Sequence, residues 1–287
     1  MVRAQLVERG LGDVEIVVLK TSGDRIQDRS LADAGGKGLF TKELEDALLH
    51  ERIDLAVHSM KDVPVAIPPG LSIAAVLPRE DPRDAFLSHK AKTLAELPKG
   101  AVVGTSSVRR HAQVARARPD LTIKLLRGNV DTRLAKLDGG EFDAILLALA
   151  GLKRLGLADR ATTILSSEDW LPALAQGAVG IEIRETDTRA REIVAQLNDL
   201  TTEVVLNCER AFQFALDGSC RTSMGGLATY ANNVLSFRGE VLAPDGSDVV
   251  ETAFEKNLGH DPRNHAEQLG REAGEALKPR ALKWLAI

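Results

Sequence analysis

The chain has 287 residues, 44% hydrophobic and 27% charged, a composition typical of a globular protein with two or three domains. Its net charge of -4 and its 3% aromatic content argue against nucleic acid and anionic membranes as partners. The longest apolar run, 144–152, is too short for a membrane span. Two cysteines in no metal-binding pattern, without a signal-peptide pattern, predict a reducing cytoplasm.

The first elements alternate between helix and strand. Residues 1–9 resemble the second half of a helix that ends at Gly10 and Gly12, and Val14 to Leu19 is predicted to be a buried strand. A glycine-rich stretch around Gly36, Lys37 and Gly38 lacks the Walker A spacing, so we interpret it as a loop over a site. Thr41 is predicted to cap a helix that ends near His50.

The next strand carries the first candidate site. The apolar run 55–57 predicts a short strand buried on both faces, and Pro64 predicts that the chain leaves the sheet near Asp62. In open α/β sheets ligands bind beyond the carboxyl ends of the strands, so Asp62 would lie at the floor of a cleft with Lys61 and His58 nearby. Taken alone, the same pattern also fits a strand followed by a solvated turn.

Further strands and helices alternate up to the return crossing. After a strand at 71–77, the charged, proline-rich stretch 78–84 predicts a crossing between domains, and 171–180 predicts the return crossing. This alternation implies parallel sheets. Between the crossings we predict strands at 102–104, 121–126 and 143–149, helices at 108–117, from 129 to about 137 and at 152–155, and after them a strand at 181–184.

From Asn198 onward the pattern changes to that of a small α+β unit. It comprises an amphipathic helix that ends near Leu216, a loop with Cys220, three strands and a closing helix at 262–277. Asp245 and Gly246 form the predicted hairpin turn. The three strands are predicted at about 222–230, 234–242 and 248–256.

Basic residues concentrate in one part of this acidic chain. Residues 101–133 contain seven basic and two acidic side chains, a local net charge of +5 that indicates an anionic ligand. The arginines follow three successive predicted strands, which predicts an anion-binding crevice. The alternative is a basic face that is simply solvated. Guanidinium forks bind carboxylates or phosphates, and the pattern does not choose between them. The residues at these strand ends are Thr105, Ser106, Ser107, Arg109, Arg110, Arg127, Arg133 and Arg154.

The two cysteines differ in their surroundings. Cys208 lies at helical spacing among apolar residues and is predicted to be core. Cys220 lies in a Gly-Ser-Cys-Arg loop, where Arg221 could favour the thiolate. From that stretch alone, an inert loop thiol is the better interpretation.

Several motifs together resemble the porphobilinogen deaminase family, also called hydroxymethylbilane synthases. They occur in order along nearly the whole chain. They are His58-Ser59-Met60-Lys61-Asp62-Val63-Pro64, Gly104-Thr105-Ser106-Ser107-Val108-Arg109-Arg110, Arg127-Gly128-Asn129-Val130-Asp131-Thr132-Arg133, Ala150-Gly151-Leu152-Lys153-Arg154, Gln176-Gly177-Ala178 and Gly218-Ser219-Cys220.

This resemblance implies an α/β protein of three domains. Two domains, 1–77 with 178–196 and 78–177, would resemble the halves of a type II periplasmic binding protein, and 197–287 would be an α+β domain with a three-stranded antiparallel sheet. Cys220 would carry a dipyrromethane cofactor through a thioether, which reverses the inert interpretation. The resemblance also implies a monomer that uses no metal and binds neither nucleic acid nor membrane.

The reaction implied is a transfer in tetrapyrrole biosynthesis. Four porphobilinogens would join head to tail with loss of ammonia, and water would release the linear product. Asp62 would stabilise the cationic azafulvene and transfer protons. The resemblance places cofactor or substrate contacts at Lys61, Thr105, Ser106, Ser107, Arg109, Arg110, Arg127, Arg133, Arg154 and Gln176.

The amino terminus departs from the family pattern. Family members open with a strand that ends in Arg-x-Ser, and Met1 here corresponds to the middle of the helix that follows. We therefore expect a destabilised first domain and weak or no activity for the chain as written. The main alternative to an enzyme is a two-lobed receptor for a small anion, which would need neither Asp62 nor Cys220.

Overall fold

A computed structural model of the chain describes residues 1–25, 38–216 and 222–285. Along these residues the strands form three sheets, and helices flank them. The helices are α1 (Val2–Glu8), α2 (Ser22–Arg25), α3 (Lys42–Leu49), α4 (Val108–Ala117), α5 (Val130–Asp138), α6 (Leu149–Arg154), α7 (Thr188–Ala195), α8 (Leu200–Ala215) and α9 (Pro262–Ala281). The strands are β1 (Ala56–Ser59), β2 (Leu71–Val76), β3 (Asp84–Ser88), β4 (Val102–Thr105), β5 (Thr122–Leu125), β6 (Ala144–Ala148), β7 (Thr163–Ile164), β8 (Val179–Arg184), β9 (Met224–Ala231), β10 (Val234–Leu242) and β11 (Val249–Asn257).

The first sheet has the strand order β1-β8-β2, and β8 is antiparallel to both neighbours. The prediction of a parallel arrangement is therefore wrong for the pairs in this sheet. The strand at β1 is confirmed, but its burial on both faces is wrong, because Val57 is 46% exposed. β1 is an edge strand among the described strands, and one of its faces is open to solvent.

The predicted strand from Val14 to Leu19 is wrong. This stretch has no regular structure, and its central apolar side chains, Ile16, Val17 and Val18, are 51–83% exposed. A strand exists only through its hydrogen bonds to a neighbouring strand, and no strand of the described sheets pairs with this stretch. The helix before it, α1, is confirmed.

The second sheet has the order β5-β4-β6-β3-β7. β4 lies parallel to both β5 and β6, as the alternation of strands and helices predicted. β3 and β7 extend the sheet with antiparallel pairs. Neither was predicted: β3 begins at the last residue of the predicted crossing, and β7 lies in a stretch for which no element was predicted. Helix α7, in the stretch after β8, was also missed.

The carboxyl-terminal part is the predicted α+β unit. The sheet order β11-β10-β9 is antiparallel throughout, and Gly246 occupies the hairpin turn with a φ of +75°. Helices α8 and α9 pack closely because Gly270 and Gly274 leave no Cβ between α9 and the backbone of α8. Cys208 is fully buried in this core, as predicted.

The segments 78–83 and 171–178 connect the first two sheets, as the two crossings predicted. Glu209 of α8 binds both of them, because it accepts hydrogen bonds from Arg79 and from the amide of Ala175. Glu209 also accepts a hydrogen bond from the amide of Ala228 in β9. The third domain is thus joined to both crossings at one buried carboxylate. The exact domain boundaries stay a prediction. Along the described residues, no helix has both the length and the apolarity needed to cross a membrane.

Candidate active site

The predicted arginine cluster lies at one edge of the second sheet. Because β5, β4 and β6 are parallel neighbours, their carboxyl ends meet at the same edge. Helices α4, α5 and α6 follow these strand ends directly. This arrangement brings the arginines after three different strands to one side of the sheet.

Local side chains start the helices at this edge. The Ser107 hydroxyl accepts a hydrogen bond from the amide of Arg110 at 3.4 Å, and the Thr105 hydroxyl accepts one from the amide of Ser107 at 3.1 Å. Asn129 caps α5 by accepting a hydrogen bond from the amide of Thr132 at 2.8 Å. Ser106 lies half-buried between the two capping hydroxyls. Thr105 and Ser107 therefore already contribute to the start of α4.

Asp62 lies in a single 3-10 turn, Met60–Asp62, directly after β1. Its side chain and that of Lys61 are open to solvent, yet the surrounding protein is dense. Desolvation by this surrounding protein raises the pKa of Asp62, while the charges of Lys61, Arg133 and His58 oppose the shift. The same desolvation lowers the pKa of Lys61, against the attraction of Asp62. The structure therefore confirms the predicted position of Asp62 beyond a strand end, beside cations.

Three further arginines follow the strands of the second sheet, and one of them, Arg133, acts on Asp62 electrostatically. Burial lowers the pKa of Arg133 to about 10, and the like charges of Arg110 and Arg127 add to the shift. Arg133 also donates from Nε to the carbonyl of Gly128 at 2.8 Å, which fixes its side chain above the start of α5. Arg127 is buried, and Arg154 donates to the carbonyl of Gly177 at 2.6 Å. The positive charges of Arg110 and Arg127 thus act on Arg133, which in turn acts on Asp62.

Arg109 and Arg110 are held by a partner that the sequence analysis did not identify. Arg109 donates from Nη2 to Asp84 at 2.9 Å, and Arg110 donates from Nη2 and Nε at 2.7 and 3.1 Å. Trp170 Nε1 and Gln176 Nε2 donate to the same carboxylate at 3.0 and 2.7 Å. Burial by itself would raise the pKa of Asp84, but the two guanidinium charges hold it far below its usual range.

Gln176 connects this buried network to the first lobe. Its side-chain oxygen lies 3.4 Å from Lys61 Nζ and 3.5 Å from Arg110 Nη2, and both groups donate to it. Its amide nitrogen donates to Asp84 and to the carbonyl of Pro82, each at 2.7 Å. The side chain is 1% exposed. Gln176 therefore joins residues of both crossings and both sheets.

A second buried group of acids lies beneath the strand that leads to Asp62. His58 Nε2 lies 2.9 Å from Glu182 Oε2, and both residues are buried. Burial raises the pKa of Glu45, and the carboxylate of Glu182 adds to this shift. Sequence reasoning missed Glu182 and Glu45, which lie far from His58 along the chain. Among the described residues, no group of three or more His, Cys, Asp or Glu side chains could hold a metal ion.

Some predicted site residues lie outside the described part of the chain. They are Gly36 and Lys37 of the loop and Cys220, the expected cofactor attachment site. Gly38 is described and lies in a bend with a φ of +68°, a conformation that favours glycine.

Asp84 is the largest omission of the sequence analysis at this site. It begins β3, which was interpreted as the end of a crossing. The apolar run of Ala85, Phe86 and Leu87 after a proline-rich segment was the signal that could have identified a strand there. A fully buried acid at its first position then needs cationic partners, and neighbouring arginines at a helix start are candidates.

Solved structures share the general fold of the chain at a low level. The VFT2 domain of Bordetella pertussis BvgS has a TM-score of 0.40 and 14% identity, covering 68% of this chain and 75% of that chain. A periplasmic binding protein of Salmonella typhimurium with high arginine specificity has a TM-score of 0.37 and 14% identity, covering 69% of this chain and 80% of that chain. Similarity at this level carries no argument about function.

Sequence comparisons are far more specific. Residues 1–192 match the family model described as porphobilinogen deaminase, dipyromethane cofactor binding domain, and residues 204–279 match that of the C-terminal domain. Porphobilinogen deaminases of Nitrobacter hamburgensis and Nitrobacter winogradskyi are each 52% identical over 268 residues, which is 93% of this chain and 83% of the relative. The chain therefore belongs to the porphobilinogen deaminase family.

Proposed function

We propose that the protein condenses four porphobilinogens head to tail, releases ammonia at each step and yields hydroxymethylbilane after hydrolysis. Family membership supports this reaction. The observation that carries the site assignment is the position of Asp62, a strand-end carboxylate beside Lys61 and within the electrostatic influence of Arg133. This arrangement unites an acid that can transfer protons with cations that attract a polycarboxylate.

The crowded cations fit a dipyrromethane cofactor and a growing pyrrole chain. Repulsion from Arg110 and Arg127 disfavours the charged form of Arg133, and carboxylates placed among these side chains would relieve it. In our proposal Lys61, Arg127, Arg133 and Arg154 hold acetate and propionate groups, and Cys220 provides the thioether. The bound cofactor supplies the pyrrole to which the first porphobilinogen is joined.

Asp62 performs the acid–base chemistry in this proposal. Porphobilinogen loses ammonia and leaves a cationic azafulvene, which a neighbouring carboxylate stabilises. A raised pKa increases the protonated fraction of Asp62 that can donate a proton to the departing amine, and it makes the resulting carboxylate a stronger base for the proton on the pyrrole carbon.

Arg109 and Arg110 contribute differently from the other arginines. Their donors are directed to Asp84, Gln113, Gln176 and the carbonyls of Leu171 and Leu146. We therefore propose that Arg109 and Arg110 attract ligand carboxylates through their charge at a distance and do not bind them directly. Thr105 and Ser107 hold the start of α4 in place. Ser106, on the same turn, is the hydroxyl we assign to a ligand carboxylate.

The acid assignment is tested by the turnover of Asp62→Asn with porphobilinogen. At ~4 Å and an effective dielectric constant of ~20, a carboxylate and a cation interact by roughly 4 kcal/mol, which corresponds to about three decades of rate. We expect the variant to fold and to lose about this much of kcat. Asp54→Asn, at an exposed acid before the same strand, is the matched control and should turn over normally. Normal turnover by Asp62→Asn would end the assignment.

The attachment site is tested by intact mass. The protein should carry a covalent increment of two pyrrole units that reacts with a colour reagent for pyrroles. Cys220→Ser should lose this increment, whereas Cys208→Ser, at the buried core thiol, should keep it. An increment that survives in Cys220→Ser would exclude this attachment site.

We further propose that the protein is a cytoplasmic monomer without nucleic-acid or membrane partners. The supports are the family resemblance, the net charge of -4 and the low aromatic content. Size-exclusion chromatography with light scattering should give the mass of one chain. A stable dimer mass would contradict the monomer.

A further inference from the structure

Arg210 connects the third domain to the segment that carries Asp62. It lies on α8, and its half-buried guanidinium donates to the carbonyls of three consecutive residues that follow Asp62. Nη1 lies 3.2 Å from the oxygen of Val63, and Nη2 lies 2.9 Å from that of Pro64 and 3.2 Å from that of Val65. One planar cation thus holds three successive peptide groups.

The segment has few backbone hydrogen bonds of its own. Residues 63–69 form no helix or strand. The amide of Val63 donates to the carbonyl of Met60 at 3.3 Å, and Pro64 has no amide to donate. A carbonyl that accepts from a charged donor is held more firmly than one that accepts from water.

The same helix also packs against the apolar side of this turn. Leu206 lies one helical turn before Arg210 and shares a buried cluster with Met60 and Val63. Residues four apart lie on the same face of a helix. α8 therefore contacts this part of the chain in two ways. Leu206 packs against Met60 and Val63, and Arg210 binds the carbonyls of the three residues that follow Asp62.

The guanidinium of Arg210 is partly withdrawn from solvent where it binds these carbonyls. Burial lowers its pKa to about 10, against the attraction of Glu182. Even at this value the guanidinium stays charged at neutral pH. Glu182 in turn is hydrogen-bonded to His58, on the strand that leads to Asp62.

We propose that Arg210 is a positioning residue that sets the place of Asp62 relative to the third domain. It does so by holding the three carbonyls after Asp62 from α8. This inference rests on the proposed function, because it assumes that Asp62 is the catalytic acid. α8 ends at Ala215, five residues before Cys220 in the sequence.

The test compares Arg210→Met with Arg238→Met in the full chain. Arg238 is a matched control, because it extends from the third domain to the carbonyls of Ser167 and Glu168 at 3.2 and 2.9 Å, in another part of the molecule. Rates are expressed per cofactor-loaded enzyme, with loading determined by intact mass. A misplacement of about 1 Å in a catalytic group costs up to about 100-fold in rate. We expect Arg210→Met to lose about 10- to 100-fold in kcat with little change in KM, and Arg238→Met to keep both.

A second measurement does not depend on activity. Amide hydrogen exchange of the peptide covering 59–67 should become about tenfold faster or more in Arg210→Met. Once the carbonyls after Asp62 lose their charged donor, the turn whose Met60 and Val63 amides are hydrogen-bonded should open more often. Arg238→Met should leave this peptide unchanged. Arg210→Lys keeps the charge but not the planar fork, so its kcat and its exchange should lie between those of the wild type and Arg210→Met. If Arg210→Met does not fold, Arg210→Lys alone should show both changes in smaller size.

Two outcomes would overturn the inference. The first is a kcat of Arg210→Met, per loaded enzyme, equal to that of Arg238→Met while Asp62→Asn is inactive. The second is unchanged exchange of the 59–67 peptide. Normal turnover by Asp62→Asn would instead remove the proposed function itself, whatever the exchange data show.

Discussion

Asp62 and Asp84 are two aspartates in neighbouring parts of the molecule with opposite environments. Asp84 is fully buried and accepts hydrogen bonds from two arginines, a tryptophan and a glutamine. Asp62 is open to solvent, and its neighbours Lys61 and Arg133 do not compensate for the surrounding protein. The pKa of Asp84 therefore lies far below its ordinary value, whereas that of Asp62 is raised.

The difference shows how the same residue type acquires two roles in one protein. A carboxylate that is saturated with donors stays ionised and holds its partners in place. A carboxylate that is only partly compensated has a raised pKa and gains a proton more readily, which suits acid–base chemistry. In this protein the first kind organises Arg109 and Arg110, and in our proposal the second kind performs the reaction.

The largest effect is expected for Asp84→Asn, which removes the negative charge from the acid that is saturated with donors. The substitution leaves Arg109 and Arg110 buried without their shared anion, and breaking a buried ion pair in this way costs about 3–5 kcal/mol. Denaturant unfolding of the variant should show a loss of that size. Asp54→Asn, at an exposed acid, should stay within about 0.5 kcal/mol of the wild type. Equal unfolding free energies for wild type and Asp84→Asn would show that the network does not stabilise the fold.

The pH dependence of stability gives a second view of Asp84. Its folded pKa lies below the unfolded value of about 4. The carboxylate therefore contributes its full stability above that pH, and the contribution is lost as pH falls below it towards the folded pKa. The wild type should lose more stability on acidification below about pH 4 than Asp84→Asn does. Parallel pH curves would contradict the depressed pKa.

Arg133→Gln tests the other acid by removing a cation that opposes the raised pKa of Asp62. The acid limb of the pH–rate profile should move to higher pH, because the ionised form of Asp62 loses support. Loss of a charged hydrogen bond to a ligand carboxylate should also raise KM about tenfold or more. Lys124→Gln makes the same charge change at an exposed position on β5. If both variants shift the profile alike, the effect is one of net charge only.

The smallest expected effect is on the stability of Asp62→Asn. Because the folded pKa of Asp62 is raised, the ionised carboxylate is disfavoured in the folded state, and the wild type loses stability as pH rises through that pKa. The variant should therefore melt slightly above the wild type at pH 7, and the two should converge at low pH. Access to solvent keeps the difference small. A variant that melts lower at pH 7 would contradict the direction of the shift.

Elements with strong local signals were predicted well. The helix at 108–117 has the predicted bounds, because Ser107 supplies a cap and Pro119 follows its end. The stretch from Val14 to Leu19 has an equally strong apolar pattern, but it forms no strand. A helix makes its hydrogen bonds within itself, whereas a strand needs a neighbour that local sequence does not reveal.

The candidate site shows the same contrast between local signals and contacts of distant residues. Motif spacing predicted Asp62, Lys61 and the arginines after three strands as site residues, and the parallel order of β5, β4 and β6 directs the ends of those strands to one edge. The pairing of Arg109 and Arg110 with Asp84 was not predicted. Neither was the contact from Arg210 to the carbonyls after Asp62, because its two ends are far apart along the chain.

The amino-acid sequence by itself determined the family, the helix starts and the residue types available for chemistry. These depend on caps, periodicity and motifs within short stretches of chain. Only the tertiary structure decided which carboxylate is saturated with donors and which arginines remain near the proposed acid. The reason is electrostatic: a pKa depends on all charges and on the burial around a group, and folding brings these together from distant parts of the chain.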